Sequence, residues 1–182
     1  MKKIMFAGLS LLSLVVLMAC GEEETKKTQA AQQQQTPVQQ IAVGKEAPDF
    51  TLQSMDGKEV KLSDYKGKKV YLKFWASWCP ICLSGLADIT QLSEMPPKDS
   101  VILTVIAPGV NREKSLEDFK EWFMGVDYHS LPVLVDKDGQ FLKKLGVVGY
   151  PTSAFIDANG KVVRVQPGHV SNDDIVKTLE SL

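Results

Sequence analysis

Residues 70–82 read VYLKFWASWCPIC and join two different local patterns. Residues 70–75 are rich in apolar, aromatic and β-branched side chains, which is typical of a buried strand. From Pro80 onward, apolar side chains recur at the spacing of one helical face. They are Ile81, Leu83, Leu86, Ile89 and Leu92. The sequence therefore predicts a strand that leads directly into a helix, with two cysteines at the junction.

The two cysteines, Cys79 and Cys82, have the Cys-x-x-Cys spacing. Pro80 suits the first helical position because its missing N–H would lack a partner there, which places Cys79 at the helix N-terminus. Unpaired backbone N–H groups and the positive end of the helix dipole stabilise a thiolate there, so Cys79 is the predicted nucleophile. Cys82 follows on the same helical face, within bonding reach. The pattern predicts a dithiol that opens and closes.

Two other uses of this pair are open. A structural zinc site needs four ligands, and His129 and His169 stand alone without a second Cys pair. A purely structural disulfide usually closes a longer loop. Because Cys-x-x-Cys beside a βαβ pattern favours redox chemistry, we expect no metal and no cofactor besides the disulfide of Cys79 and Cys82.

Residues 1–19 have the build of a secretory signal: a basic start, an apolar run and small Ala19 before Cys20. The run is too short for a convincing transmembrane helix. Residues 17–20, LMAC, resemble the lipobox of bacterial lipoproteins, in which the cysteine receives a diacylglycerol chain. An ordinary cleaved signal is the alternative. We expect export and a lipid anchor on Cys20 at the outer face of the cell membrane.

The rest of the chain divides into a linker and one domain. Residues 20–43 are the predicted lipid-anchored, disordered linker, because they are rich in Glu, Lys and Gln with almost no apolar residues. Residues 44–182 have the size of one domain with a continuous core. The formal net charge is −1 and no basic patch is present, so no nucleic-acid partner is expected.

Strand and helix patterns alternate through residues 44–182. The predicted strands are 50–52, 59–62, 70–75, 101–107, 131–135, 152–157 and 161–165, and turn signals at 55–58 and 157–160 predict two hairpins. The predicted helices are 80 to about 93, 112–124, 140–145 and a last one that opens at Ser171. The pattern predicts an α/β fold, a mixed central sheet with helices on both faces.

Residues 74–82, FWASWCPIC, followed by residues 149–152, GYPT, resemble the thioredoxin superfamily. More narrowly, the chain is similar to TlpA/ResA-type thiol-disulfide oxidoreductases, which are attached to bacterial membranes. Residues 44–50, GKEAPDF, match that branch, as do the hairpin and the helix at 112–124. The resemblance implies a thioredoxin-like fold with an N-terminal β-hairpin extension and a helical insertion.

The resemblance also implies roles for residues outside the cysteine pair. Pro151 would be a cis-proline that faces the cysteines, since X-Pro is the common place for a cis peptide. Tyr150 would pair its backbone with an extended substrate segment, and Trp78 would flank the disulfide. With Pro80 and Ile81 from the loop between the cysteines, these are the candidate substrate-binding residues.

The chain departs from the family pattern near the cysteines. Lys73 stands six residues before the first cysteine, where the family often has an acid, and Gly85 and Ala87 replace a frequent Glu and Pro. No acid is therefore assigned as general base. Lys73 is a candidate for tuning the cysteine pKa values, either by its charge or as a neutral base, with a solvent-reaching lysine as the alternative.

The resemblance implies an extracytoplasmic thiol-disulfide oxidoreductase. We expect a reductase that passes electrons from a membrane thiol carrier to a protein disulfide or sulfenic acid, for example on a methionine sulfoxide reductase. Pro80 and Ile81 bring neither charge nor histidine to the pair, which favours reduction over oxidation. A disulfide-forming oxidase, a copper-binding chaperone of thioredoxin fold and a peroxiredoxin are the alternatives.

Overall fold

The structure is a computed structural model that describes residues 43–182. The predicted signal sequence, the lipidation candidate Cys20 and the linker up to residue 42 lie outside the described residues. Within residues 43–182, no helix is long and apolar enough to cross a membrane.

The described residues form seven strands and five α-helices. The strands are β1 (Thr51–Ser54), β2 (Glu59–Lys61), β3 (Lys69–Phe74), β4 (Ser100–Ile106), β5 (Val133–Val135), β6 (Thr152–Ile156) and β7 (Val162–Pro167). The helices are α1 (Pro80–Leu83), α2 (Leu86–Glu94), α3 (Leu116–Met124), α4 (Gln140–Lys144) and α5 (Asn172–Glu180), with a 3₁₀ turn at Leu62–Tyr65. The predicted alternation of strands and helices is confirmed, with end points that shift by a few residues.

All seven strands belong to one sheet with the order β2-β1-β5-β4-β3-β6-β7. Strands β3, β4 and β5 run parallel, whereas the pairs at both sides of this group are antiparallel. The predicted mixed sheet is therefore confirmed, and the β1–β2 hairpin extends one edge through β5. Strand β3 lies between β4 and β6, so it is an internal strand of the sheet.

The alternating side chains of β3 enter two apolar cores, one on each face of the sheet. Tyr71 and the following Trp75 pack on the face covered by α2, α3 and α5, and both cysteines belong to this core. Leu72 and Phe74 pack on the opposite face, against α4. Phe74 and Trp75 are fully buried, which confirms their predicted place in the core. The end of β3 thus delivers the chain to the cysteine pair on one defined face.

The single helix predicted from Pro80 to about residue 93 is wrong, because the chain breaks at Ser84 and Gly85 and forms α1 and α2. The break occurs although residue 87 is Ala, which does not interrupt a helix. Glycine is a poor helix former. The missing side chain at Gly85 also leaves space for the side chains of His169 and Lys73. A β-carbon at Gly85 would lie 3.1 Å from Cε1 of His169 and 3.2 Å from Nζ of Lys73.

The insertion helix begins at Leu116, so the prediction of helix from Arg112 is also wrong. Asn111 and Arg112 have φ values of 49° and 66°, in the left-handed region that an α-helix does not use. Ser115 is the N-cap of α3, and its hydroxyl accepts a hydrogen bond from the backbone N–H of Asp118 at 3.1 Å. Residues 111–114 therefore form a separate loop before the helix.

Candidate active site

Cys79 and Cys82 form a disulfide at the start of the cysteine helix. Cys79 is the N-cap of α1 and Pro80 occupies the first turn, so the structure places Cys79 at the helix N-terminus. The two Cα atoms are 5.2 Å apart, within the usual range for a disulfide. Cys79 is 3% exposed and Cys82 is fully buried. Cys79 is thus the more exposed of the two cysteines, and its role as the attacking sulfur stays a prediction.

Apolar side chains border the disulfide at the surface. Trp78 is 39% exposed and Ile81 is 53% exposed, and Pro80 between the cysteines is exposed as well. Val148, in the loop before β6, is 83% exposed. Large apolar side chains are usually buried, so their concentration around one disulfide indicates a contact surface.

The loop before β6 approaches the same surface. The Tyr150–Pro151 peptide bond is cis, as the family resemblance implies. The Tyr150 ring centroid lies 6.1 Å from that of Trp78, in an edge-to-face arrangement, and Tyr150 packs against the core that contains both cysteines. Burial of its hydroxyl raises the pKa of Tyr150. Thr152 fixes the loop by donating its hydroxyl to the carbonyl of Gly149 at 2.8 Å.

Lys73 is buried on the face of β3 that carries the cysteine helix. Its neighbours in the sheet are Thr104 of β4 and Ser153 of β6, which are both buried, so three polar residues form a row across adjacent strands. Burial lowers the pKa of Lys73, and the nearby Asp88 carboxylate opposes this shift. The Nζ atom lies next to Gly85, one helical turn beyond Cys82. The structure brings Lys73 to the cysteine helix; its tuning role stays a prediction.

Glu113 is a buried acid near the cysteines that the sequence did not reveal. Its carboxylate accepts hydrogen bonds from the backbone N–H and the hydroxyl of Ser77, both at 2.6 Å, and from the backbone N–H of Lys114 at 2.7 Å. Ser77 lies two residues before Cys79. Glu113 therefore ties the loop that precedes Cys79 to the loop that precedes α3.

Arg112 lies beside Glu113 and was also missed. Its guanidinium carbon is 4.7 Å from the centroid of the Trp78 ring, which is a cation–π distance. Sequence reasoning missed this contact, because residues 112–114 were assigned to the start of the helix predicted at 112–124. The two positive φ values at Asn111 and Arg112, which sequence periodicity does not report, turn the guanidinium toward the site.

The Redoxin family model matches residues 42–181, which is most of the chain. The chain belongs to the Redoxin family. The thiol-disulfide oxidoreductase ResA of Geobacillus thermodenitrificans is 37% identical over 143 residues, which cover 78% of this chain and 79% of that protein. This Redoxin-family chain is thus a TlpA/ResA-like member of the thioredoxin superfamily and a protein thiol-disulfide oxidoreductase.

Solved structures agree with this assignment. The pneumococcal exposed lipoprotein thioredoxin Etrx1 of Streptococcus pneumoniae has a TM-score of 0.71 and 54% identity, covering 74% of this chain and 99% of that one. The N-terminal domain of PilB from Neisseria gonorrhoeae has a TM-score of 0.65 and 31% identity, covering 71% of this chain and 86% of that one. The thioredoxin-like fold predicted for the Redoxin domain is confirmed.

Replacing Glu113 by Gln tests the role of the buried carboxylate. Glutamine presents one acceptor oxygen and one NH₂ group, so the backbone N–H of either Ser77 or Lys114 loses its partner. We expect the free energy of unfolding to fall by about 1–3 kcal/mol, measured by urea denaturation of the oxidised protein. The exposed Glu121→Gln on α3 is the control and should stay within about 0.5 kcal/mol. Equal effects of both changes would contradict the role of Glu113.

The pH dependence of the stability of Lys73→Met tests whether the Lys73 ammonium is desolvated in the folded protein. In the unfolded chain the pKa of Lys73 returns to about 10.5, above its folded value, so between the two values the unfolded state binds more protons and native stability rises with pH. Lys73→Met removes this titration. We expect Lys73→Met to have a higher free energy of unfolding than the native protein. The difference should be largest near pH 7 and should shrink toward pH 10.5.

The control for this series is Lys68→Met, which replaces an exposed lysine just before β3. Urea unfolding of the oxidised proteins at several pH values gives the comparison. Identical pH profiles for the two variants would show that the Lys73 ammonium is not desolvated in the folded protein.

Proposed function

We propose that this protein is an extracytoplasmic reductase, which passes two electrons from a membrane thiol carrier to a disulfide or a sulfenic acid on an exported partner protein. The observation that supports it most directly is the Cys79–Cys82 disulfide at a helix N-terminus, bordered by exposed Trp78 and the cis Tyr150–Pro151 bond. An extracytoplasmic methionine sulfoxide reductase is a partner of suitable chemistry.

The reaction begins with reduced cysteines. The Cys79 thiolate attacks one sulfur of the partner's disulfide, the partner's S–S bond breaks, and the released thiolate takes up a proton. With a sulfenic acid, the same attack breaks the S–O bond, and the released hydroxide takes up a proton to form water. Cys82 then attacks the Cys79 sulfur of the mixed disulfide, which frees the reduced partner and leaves Cys79 bonded to Cys82. A membrane dithiol restores the pair by the same exchange and becomes a disulfide itself.

The second step requires Cys82 to lose its proton inside the protein. Lys73 is the candidate for this role, because its buried side chain reaches the cysteine helix at Gly85, one turn beyond Cys82. Desolvation lowers the pKa of Lys73 and so increases its neutral fraction, and a neutral amine accepts a proton. In this proposal Lys73 takes the part that the family resemblance assigns to an acid at this position.

The surface around the disulfide would hold an extended segment of the partner. The backbone of Tyr150 pairs with that segment beside Pro151, which carries no N–H of its own. Trp78, Pro80 and Ile81 would supply apolar contact with the same segment. In this proposal the reacting cysteine of the segment meets Cys79, the more exposed of the two cysteines.

Reduction is the favoured direction because of the residues between the cysteines. A strongly oxidising pair needs extra stabilisation of its reduced thiolate, and Pro80 and Ile81 provide neither a charge nor an imidazole for this. The opposite direction, oxidation of exported dithiol proteins, is the competing function for the same site.

The predicted cellular location follows from the N-terminal sequence and from a relative. Residues 17–20, LMAC, have the lipobox pattern, and one similar solved structure is that of a lipoprotein thioredoxin. We propose that cleavage after Ala19 and a diacylglyceryl group on Cys20 anchor the domain to the outer face of the cell membrane, through the linker of residues 20–43. Two acyl chains provide stable anchoring where a single chain does not.

Replacing Cys20 by Ala tests the anchor. We expect Cys20→Ala to move the protein from the membrane fraction to the soluble fraction, because the acceptor of the lipid is gone, while disulfide exchange at Cys79 is unchanged. Immunoblots of fractionated cells give the distribution, and Ser13→Ala in the same signal segment is the control. Firm retention of Cys20→Ala in the membrane would show that the apolar segment itself is the anchor.

The reductase proposal is tested by redox equilibration and trapping. We expect a reduction potential nearer to the thioredoxin value, about −270 mV, than to the strongly oxidising value of about −120 mV, from equilibration with glutathione. Reduced protein should convert a peptide disulfide to its dithiol. Cys82→Ala should accumulate a mixed disulfide with the peptide because it lacks the resolving sulfur, whereas Cys79→Ala should not.

Two results would contradict this proposal. A potential near the oxidising end, together with rapid oxidation of a reduced unfolded protein, would make the protein a disulfide-forming oxidase. Mixed disulfides that accumulate with Cys79→Ala instead of Cys82→Ala would reverse the roles of the two cysteines.

A further inference from the structure

Arg112 presents a positive charge at the edge of the disulfide surface. It is exposed, and its guanidinium lies over the ring of Trp78, the residue directly before Cys79. A shallow cleft of about 360 Å³ opens beside the two side chains. It is lined by Trp78, Asn111, Arg112, Val148, Gly149 and Tyr150. A chain segment that reaches Cys79 through this cleft passes the guanidinium.

The position of Arg112 is built by its neighbours. Asn111 and Arg112 both have positive φ, which is uncommon for residues other than glycine. Such conformations persist where surrounding contacts hold them, and they cluster at functional sites. Here the next residue, Glu113, is anchored by its bonds to Ser77. The same bonds that hold the loop before Cys79 therefore hold Arg112 at the cleft.

Arg112 forms no ion pair with another residue of the described range, 43–182. The ion pair found among residues 43–182 joins Lys58 to Asp56, in the β1–β2 turn. Glu113, the nearest acid in sequence, is buried and directs its oxygens to Ser77 and Lys114. Stacking on Trp78 uses one face of the guanidinium and leaves its N–H edge available, and that edge matches the geometry of a carboxylate.

The other side chains of the cleft are neutral. Val148 and Trp78 offer exposed apolar surface, and the Tyr150 hydroxyl is buried away from solvent. A partner segment with an acidic residue thus finds one complementary group, Arg112, and no competing cation among the residues that line the cleft. A segment with a basic residue at the same place meets a like charge.

We propose that Arg112 is a specificity-determining residue that binds a carboxylate of the partner segment, so that partners with an acidic residue beside their reacting cysteine are preferred. The proposal rests on the proposed function only in taking the partner to be a polypeptide that exchanges a disulfide with Cys79. It applies to reduction and to oxidation of that partner alike, because the same segment is bound in both directions.

The experiment uses the full chain in detergent micelles and three synthetic peptides that share one disulfide and differ at one position beside the attacked cysteine. That position is Glu, Gln or Lys. The second-order rate of exchange with Cys79 is measured for each peptide in both directions, with reduced protein on peptide disulfide and with oxidised protein on peptide dithiol. We expect the Glu peptide to exceed the Gln peptide by about 2- to 5-fold, the range of one exposed ion pair.

The variants separate binding by Arg112 from other effects of its charge. Arg112→Gln should abolish the preference for the Glu peptide and leave the Gln peptide within about 2-fold, and Arg112→Lys should restore part of the preference. Lys114→Ala removes the same charge two residues away and should keep the preference. Raising the salt concentration to 0.5 M should reduce it, because exposed charges are screened.

Several outcomes overturn the proposal. One is a wild-type protein that treats the three peptides alike, and another is an Arg112→Gln variant that slows all three equally, which would mean that Arg112 only supports Trp78 or the Cys79 thiol. Equal loss of preference in Lys114→Ala would show general attraction instead of binding at Arg112. If exchange occurs only with oxidised protein, the reductase function fails while the charge preference is still measured.

Discussion

Burial of strand β3 on both faces is the constraint on which the rest of the structure depends. Its neighbours β4 and β6 satisfy its backbone groups, and its side chains divide between two apolar cores. The chain leaves this strand at Phe74 in a fixed direction, so the turn to α1 and the position of Cys79 at the helix N-terminus are fixed as well. A disulfide that must react repeatedly needs this rigid support, since small displacements of a reacting group have large effects on rate.

Two ionisable side chains, Glu113 and Lys73, are buried in this part of the protein, and they differ in the hydrogen bonds that compensate their burial. The Glu113 carboxylate accepts three hydrogen bonds, which compensate the cost of burying its charge. These bonds stabilise the loop before Cys79 and the loop before α3. Lys73 forms no comparable set of bonds with described residues, and desolvation lowers its pKa. A buried amine without full compensation costs stability, and such costs are typical of groups retained for chemistry.

The parts of the fold that the sequence predicted are those with local causes. The β3 pattern, Pro80 in the first turn and Ser171 as an N-cap act through residues next to them in the chain, and all three lie where the patterns indicated. The prediction of helix from Arg112 is wrong because the cause of the loop before α3 is distant in the chain. Ser77, which holds Glu113, is 36 residues away in the chain, and hydrophobic periodicity contains no information on such a bond.

The break at Gly85 has the same kind of explanation. Lys73 comes from β3 and His169 from the segment before α5, and both reach the space that a side chain at Gly85 would occupy. The sequence showed only that an expected acid was missing there, whereas the structure shows which groups fill its place. Lys73 is buried next to Gly85, whereas Arg112 is exposed and stacks on Trp78. The two proposals thus concern separate residues, Lys73 for proton transfer and Arg112 for partner selection, and they are tested by separate variants.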